Sequence, residues 1–561
     1  MPDKSDTFHP FKAVALLVLV LAIYLPSLNS DFIWDDDYYV TGNAALTNLK
    51  GLADLWITRD ATVQYYPMVF TSFWIEYQVF GPEPAVFHAS NMVFHGINAI
   101  LVWLILMRLG LPWAWLAAAV FALHPVNVES VAWISERKNV LSGLFALSSL
   151  LLLVRLYLTD TDKTLQALPP LKKKPYALYG ASLFLFILAL LSKSVTCMMP
   201  VVFLLLVWWK HKKMPRNIIY AMLPFFAVGL AAGINTSLIE KLHVGAHGLE
   251  WNFSIMERIL IAGRALWFYA CKLIWPAELI FFYPRWEVDA TVWWQYLFPG
   301  TFLVLFLTLL TARHRTGKGP AAGVAAFAVA LLPALGFINY YPMRYSFVAD
   351  HFQYLASITM IALAVAGLHR MVERRNQRTR LLMIGFCTVI LLVLGIRSWQ
   401  EQDKYKNLQT LWEDTLSKHP DCWIANHNLG CVLAFLPGHK DRAVKSFFTA
   451  LEIQPDHLET RYNLARLFSG HGNYDAAMEH YEYLLEQDQA ISTTLLANIH
   501  NDMGVIFATR RQFEAAEAHF RKALQLKPHF PDAYNNLNRM MIQADEDLSE
   551  NAGAVTVAPG R

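Results

Sequence analysis

Three carboxylates stand side by side at Asp35, Asp36 and Asp37, in SDFIWDDDYY, just past the apolar run Ala13–Leu28. An acid cluster at the mouth of a membrane helix is costly beside lipid and persists where it faces water, a metal or a reaction. The plain alternative is a solvated loop that ends the helix. Three other stretches break apolar sequence with groups that could answer these acids. HPVNVESVAWISERKN holds His124, Glu129, Glu136, Arg137 and Lys138. His124 and Glu129 could line a cavity. Arg137 and Lys138 could hold a phosphate, the guanidinium as a bidentate fork and the ammonium as a point charge, or could snorkel to lipid headgroups. Lys193, in ALLSKSVT, is an anion ligand or a snorkelling helix end. NYYPMRYSFVADHFQY carries Arg344, Asp350 and His351, where Asp350 and His351 could bind a divalent metal ion or orient a phosphate. Together these groups suit a transfer reaction in which a carboxylate acts as base on an acceptor while cations take the charge of a departing phosphate.

The elements that must position them are apolar. Of 561 residues, 55% are hydrophobic and 16% charged, too apolar for a soluble chain of this size and too long for one domain. A net charge of +3 gives no case for nucleic acid. Hydrophobic runs continue to about Trp399, and soluble helices follow. The first run leads into acidic sequence with no small-residue cleavage site, which reads as a retained helix rather than a signal peptide. Cys422 and Cys431 fall about 13 Å apart along one predicted helix, too far to bridge, and the five cysteines show no metal-ligand spacing.

Eleven candidate spans are expected: Ala13–Leu28, Val86–Met107, Leu111–Leu123, Val140–Leu158, Tyr176–Leu191, Val195–Trp209, Ile218–Ile234, Val292–Thr311, Ala321–Phe337, His351–Leu368 and Leu381–Ile396. Several are shorter than the ~20 residues a bilayer needs. Basic clusters at Lys172–Lys174, Lys210–Arg216, Arg313–Lys318 and Arg370–Arg380 mark cytoplasmic ends. All four fall inside if Ile255–Trp275, which carries Arg258, Arg264 and Lys272, lies along the outer interface as an amphipathic helix. The N-terminus is then cytoplasmic, and the polar stretches and the C-terminal domain lie outside.

From Leu411 a helix-pair pattern recurs. Gly430, Ala465, Gly504 and Asn538 occupy matching positions, as do Ala443, Ala477 and Ala516, while Pro455 and Pro528 close two units. The longer second step implies an insertion near Glu486–Asn498. These are tetratricopeptide repeats, which present a concave surface to peptides. The expected divisions are a membrane domain over 1–399, repeats over 400–541 and a disordered tail over 542–561.

The chain resembles the transmembrane and tetratricopeptide-repeat protein O-mannosyltransferases and their bacterial relatives, within the GT-C glycosyltransferase superfamily. Its carriers are FIWDDDYYV, FHASNMVFHGINA, FALHPVNVESVAWISERKNVLSG, LLSKSVTCMMP, KLIWPAELIFFYP, FVADHFQYLAS and the repeats. The resemblance implies an all-α, GT-C-like membrane bundle followed by a repeat solenoid. It implies transfer of a sugar, with inversion, from a polyprenyl-phosphate carrier to hydroxyl groups of a protein acceptor on the extracytoplasmic face. The catalytic base is then Asp35 or Asp36; Arg137, Lys138 and Lys193 stabilise the phosphate, and Asp350 and His351 contact a metal or the phosphate. In a bacterium the carrier would be undecaprenyl phosphate and the location the inner membrane. Ser194 stands where animal members typically show an acid, which leaves the donor sugar open. The alternatives are a membrane-anchored repeat scaffold without activity, or a same-fold transferase acting on a lipid or glycan.

Overall fold

The computed structural model describes residues 9–58, 61–158, 175–487 and 491–555. The Lys172–Lys174 cluster and the start of the chain lie outside them. Every regular element among the described residues is helical. Two compact units divide at His419 and Pro420, later than the composition shift at Trp399. The helix Leu408–Lys418 belongs to the first unit, where Trp412 is buried against the rings of Trp34, Phe281 and Phe282.

Each of the eleven predicted runs overlaps helix in the first unit. Among the described residues, six helices are long and apolar enough to cross a membrane: Pro84–Arg108, Ile134–Tyr157, Pro175–Ser192, Arg216–Val244, Trp293–Thr311 and Gln377–Tyr405. The run at Leu111–Leu123 is part of a pair, Ala114–Leu123 and Pro125–Ala132, bent by 57°. Pro125 causes the break, since it has no N–H to give the preceding turn. Pro10–Ile23, Ser194–Lys210, Gly319–Ala334 and Ser357–Val372 are shorter. The helix Ile255–Ile274 is amphipathic as expected. It starts at a capping box between Ser254 and Glu257 and buries Leu260, Ile261, Ala265, Leu266 and Tyr269.

The helices have two polar ends. At one, the Lys210 ammonium meets the Leu109 carbonyl, Lys318 Nζ donates to the carbonyls of Trp208 (3.0 Å) and His211 (2.8 Å), and Trp115 Nε1 donates to the Lys12 carbonyl (3.0 Å). This end gathers the described basic clusters. At the other end lie the acidic loop, the 124–139 stretch, Lys193 and residues 340–351.

The second unit is a stack of helix pairs: Trp423–Ala434 with Lys440–Ile453, Leu458–Gly470 with Tyr474–Glu486, and Thr493–Thr509 with Phe513–Leu526. The repeat positions explain themselves in contact. A Cβ on Gly430 would lie 2.7 Å from the Phe447 ring, and one on Gly504 2.7 Å from the Phe520 ring. Ala443, Ala477 and Ala516 are fully buried where paired helices approach. Residues 488–490, within the expected insertion, lie outside the described set. The last helix, Pro531–Val555, runs on into the stretch expected to be disordered: after the capping turn, continued i to i+4 bonding carries the chain past residue 542. Residues 556–561 lie outside the described set. Gly504→Val is expected to destabilise the repeat unit by about 1–3 kcal/mol, because overpacking against Phe520 outweighs a helix-propensity gain below ~1 kcal/mol. A lowered unfolding midpoint of the second unit checks this.

Candidate active site

The acidic loop is built by short-range bonding and two long-range ties. After the helix Pro10–Ile23 and the turn Leu25–Asn29, Ser27 Oγ donates to Gln402 Oε1 (2.7 Å) and Asp31 N to the Lys406 carbonyl (2.8 Å). Trp34 then takes the left-handed conformation, φ 49°, uncommon outside glycine and costly for a bulky side chain. This reversal points Asp35 and Asp36 to different surroundings.

Asp36 is fully buried and bonded. Its Oδ2 accepts from Ile33 N (2.9 Å), and its Oδ1 accepts from Ser135 N (2.8 Å) and from Ser135 Oγ. Burial pushes its carboxyl up to about 7, against the pull of those donors. Asp36 therefore latches the loop to the 124–139 stretch, with both its oxygens held by protein donors. Asp37 is exposed and accepts from Thr41 Oγ1 (3.0 Å). Asp35 differs from both. It is part-buried, and its carboxylate makes no hydrogen bond or ion pair with the described residues. Burial raises it above the ordinary carboxylate range, Lys138 pulls it back, Glu136 adds to the rise and His351 opposes it.

Those three neighbours form one cluster, centred on Glu136, which has no assigned role in the sequence reading. Glu136 is 1% exposed. Its Oε1 lies 3.0 Å from Lys138 Nζ and 3.8 Å from His351 Nε2. Its Oε2 accepts from Lys193 Nζ (3.1 Å) and Asn139 Nδ2 (2.6 Å). Lys193 Nζ also donates to Asn139 Oδ1 (2.8 Å), and burial lowers its ammonium to about 8. Glu129, also buried, accepts from His351 N (3.0 Å) and lies 3.1 Å from His351 Nδ1. The signal available for Glu136 was the order SERK, which sets an acid directly before two cations inside apolar sequence.

Other expected residues go elsewhere. Arg137 is fully buried and holds the scaffold. Nε donates to Asn91 Oδ1 (2.7 Å), Nη1 to Glu76 Oε1 (2.5 Å) and Ser72 Oγ (3.3 Å), and Nη2 to the Phe87 carbonyl (2.7 Å). With four of its five N–H groups bonded and Phe73 4.6 Å beneath it, the Arg137 guanidinium is committed to the scaffold. His124 is engaged with backbone groups. Its Nδ1 accepts from Val126 N (3.4 Å), capping the broken helix, and Nε2 lies 3.0 Å from the Leu273 carbonyl. Arg344 pairs with Glu250 (3.1 Å) rather than with the cluster. Asp350 accepts from Tyr283 Oη at 3.0 Å on both oxygens, and burial, aided by Glu129, pushes it up to about 8. Asp350 and His351 thus face different partners. Among the described residues no group of three or more metal-type ligands assembles.

Beside the cluster lies an apolar cavity of about 110 Å³, partly open at the protein surface, lined by Val102, Leu147, Leu150, Met199, Val202 and Tyr354, and by Asn139. On the other side Lys138 lies 5.1 Å from the Tyr39 ring; Tyr39 Oη donates to Gln64 Oε1 (3.0 Å), and Gln64 Nε2 to Glu240 Oε1 (2.7 Å).

Asp36→Ala strands two buried N–H groups, at about 1–3 kcal/mol each, and is expected to lower the unfolding midpoint. Asp35→Asn, which breaks no bond, is expected to leave it unchanged. Thermal unfolding of both variants in detergent checks the division of labour.

Several known proteins are similar to this chain. A tetratricopeptide-repeat family model matches residues 497–530. Protein O-mannosyl-transferase F38B6.6 of Caenorhabditis elegans is 22% identical over 468 residues, covering 79% of this chain and 62% of that protein. Protein O-mannosyl-transferase TMTC3 of Homo sapiens is 23% identical over 597 aligned residues, covering 96% and 63%. The chain thus spans under two thirds of the length of these relatives. The Archaeoglobus fulgidus oligosaccharyltransferase in its apo form aligns with a TM-score of 0.40 at 12% identity, over 79% of this chain and 60% of that one. By sequence, the chain is similar to protein O-mannosyl-transferases over most of its length, and it carries a tetratricopeptide-repeat unit.

Proposed function

We propose that this protein is a membrane glycosyltransferase that moves a sugar from a polyprenyl-phosphate carrier to hydroxyl groups of a protein acceptor on the extracytoplasmic face. The observation that carries this reading is Asp35: a part-buried carboxylate without a partner among the described residues, in the field of Lys138 and His351, in a cluster that adjoins an apolar cavity. Asp35 acts as general base and takes the proton of the acceptor hydroxyl. The hydroxyl oxygen attacks the anomeric carbon from the face opposite the phosphate. The carbon–oxygen bond to phosphate breaks, its electron pair leaves with the carrier, and configuration inverts.

Lys138 and Lys193 take the charge of the departing phosphate. Both ammonium groups are paired with Glu136, so the phosphate shares them rather than owning them. The apolar cavity suits the first units of a prenyl chain. The relatives' names favour mannose as the sugar, and Ser194 beside Lys193 is the feature that could alter it. The repeat unit docks the acceptor, and the end bearing the basic clusters faces the cytoplasm.

Asp35→Asn is expected to reduce sugar transfer by about 10²-fold or more, with membrane insertion intact. Unchanged transfer would leave a membrane-anchored repeat scaffold as the better reading. The pH profile adds a second test. Transfer needs ionised Asp35, so the rate falls as pH drops through a value above the usual carboxylate range. Lys138 holds that value down, so Lys138→Gln is expected to move the acid limb to higher pH, whatever its effect on the maximal rate. Initial rates between about pH 4 and about pH 8, which span the ordinary carboxylate and histidine ranges, check the direction.

A further inference from the structure

Trp133 sits at the break between the helices Val128–Ala132 and Arg137–Tyr157. The residue is 5% exposed, and its Nε1–H has no hydrogen-bond partner among the described residues. A buried donor left without an acceptor is costly and calls for an explanation. Packing does not supply one. The ring lies edge to face on Phe281 (5.0 Å) and His351 (6.0 Å), contacts that a phenylalanine would also make. Lys138 Nζ lies 5.6 Å from the same ring. Among the described residues the Trp412 indole nitrogen also has no partner, but it lies among the rings of Trp34, Phe281 and Phe282. Trp133 alone of the two adjoins the charged cluster.

We propose that Trp133 is a ligand-binding residue whose Nε1–H donates to a phosphate oxygen of the prenyl-phosphate carrier, next to Lys138. The proposal rests on the transferase reading of the cluster. It also answers a difficulty in that reading. Glu136 holds both lysines, and Glu129, Glu136 and Asp35 all disfavour an incoming anion. A neutral donor binds a phosphate oxygen without being claimed by those carboxylates. Hydrogen bonds to charged groups are the stronger kind.

The test is Trp133→Phe in the full chain in detergent, with binding of a short-chain prenyl monophosphate and of the matching prenyl alcohol, and unfolding without ligand. The phosphate Kd is expected to rise about tenfold or more. Alcohol binding is expected to stay the same, which shows that the cavity left by the smaller ring, whatever it does to the unfolding midpoint, has not disturbed the site. A phosphate Kd within about twofold of the parent, or equal weakening for phosphate and alcohol, would each overturn the assignment. If the parent chain itself does not prefer the phosphate to the alcohol, the carrier reading fails and this inference with it; a change confined to the variant separates the two.

Discussion

A carboxylate sealed from water has to be neutralised by its neighbours, and Glu136 is where this structure meets that demand. Its two oxygens draw in Lys138, Lys193 and Asn139, with His351 just beyond. Breaking a buried charge pair by removing one partner is far more costly than the pair's net contribution. Four separate stretches of chain are therefore pinned to one point: the helix Arg137–Tyr157, the turn at Lys193, the turn at His351 and, through Lys138, the acidic loop. Asp35 inherits its environment from this arrangement rather than from its own sequence neighbours.

The break around Pro125 is the second requirement. A straight helix through 114–157 would carry Glu129, Glu136 and Lys138 along its length. The bend and the two short turns fold them back instead, so that Glu129 and Glu136 both reach His351. The irregular backbone created by the break is satisfied locally. Asn127 Nδ2 donates to the Phe121 carbonyl (2.7 Å), and Asn91 Nδ2 lies 3.3–3.4 Å from the carbonyls of Val131, Trp133 and Ile134. Non-helical backbone inside a membrane bundle is tolerated where protein groups meet it in this way. Arg137 belongs to the same scaffold: its guanidinium ties the break to the helices Pro67–Phe80 and Pro84–Arg108.

The junction before the repeats is also part of the first unit. Lys404 Nζ and Lys418 Nζ both donate to the Leu279 carbonyl (3.1 and 3.0 Å), and His419 Nδ1 lies 3.1 Å from the Phe282 carbonyl. The loop so held carries Phe281 and Phe282, which pack on Trp133, Trp34 and Trp412. Composition changes at Trp399, but the packing that supports the site continues to His419. Hydropathy reports whether a segment meets lipid; it does not report where a compact unit ends.

Helices and their order were legible in the residues alone, because apolarity over a run and the spacing of small residues in the repeats are local properties. The same holds for the set of polar stretches that would meet: Asp36 reaches Ser135, Lys193 reaches Glu136, and His351 reaches Glu129. What each group does there was decided only in three dimensions. Asp35 and Asp36 are adjacent and chemically identical, yet Ser135 claims one and leaves the other open. Arg137 and Lys138 are adjacent cations, yet Asn91, Ser72, Glu76 and Phe87 take four of the five N–H groups of the first. A side chain's role depends on whether its hydrogen-bonding capacity is already filled, and the groups that fill it arrive from distant parts of the chain.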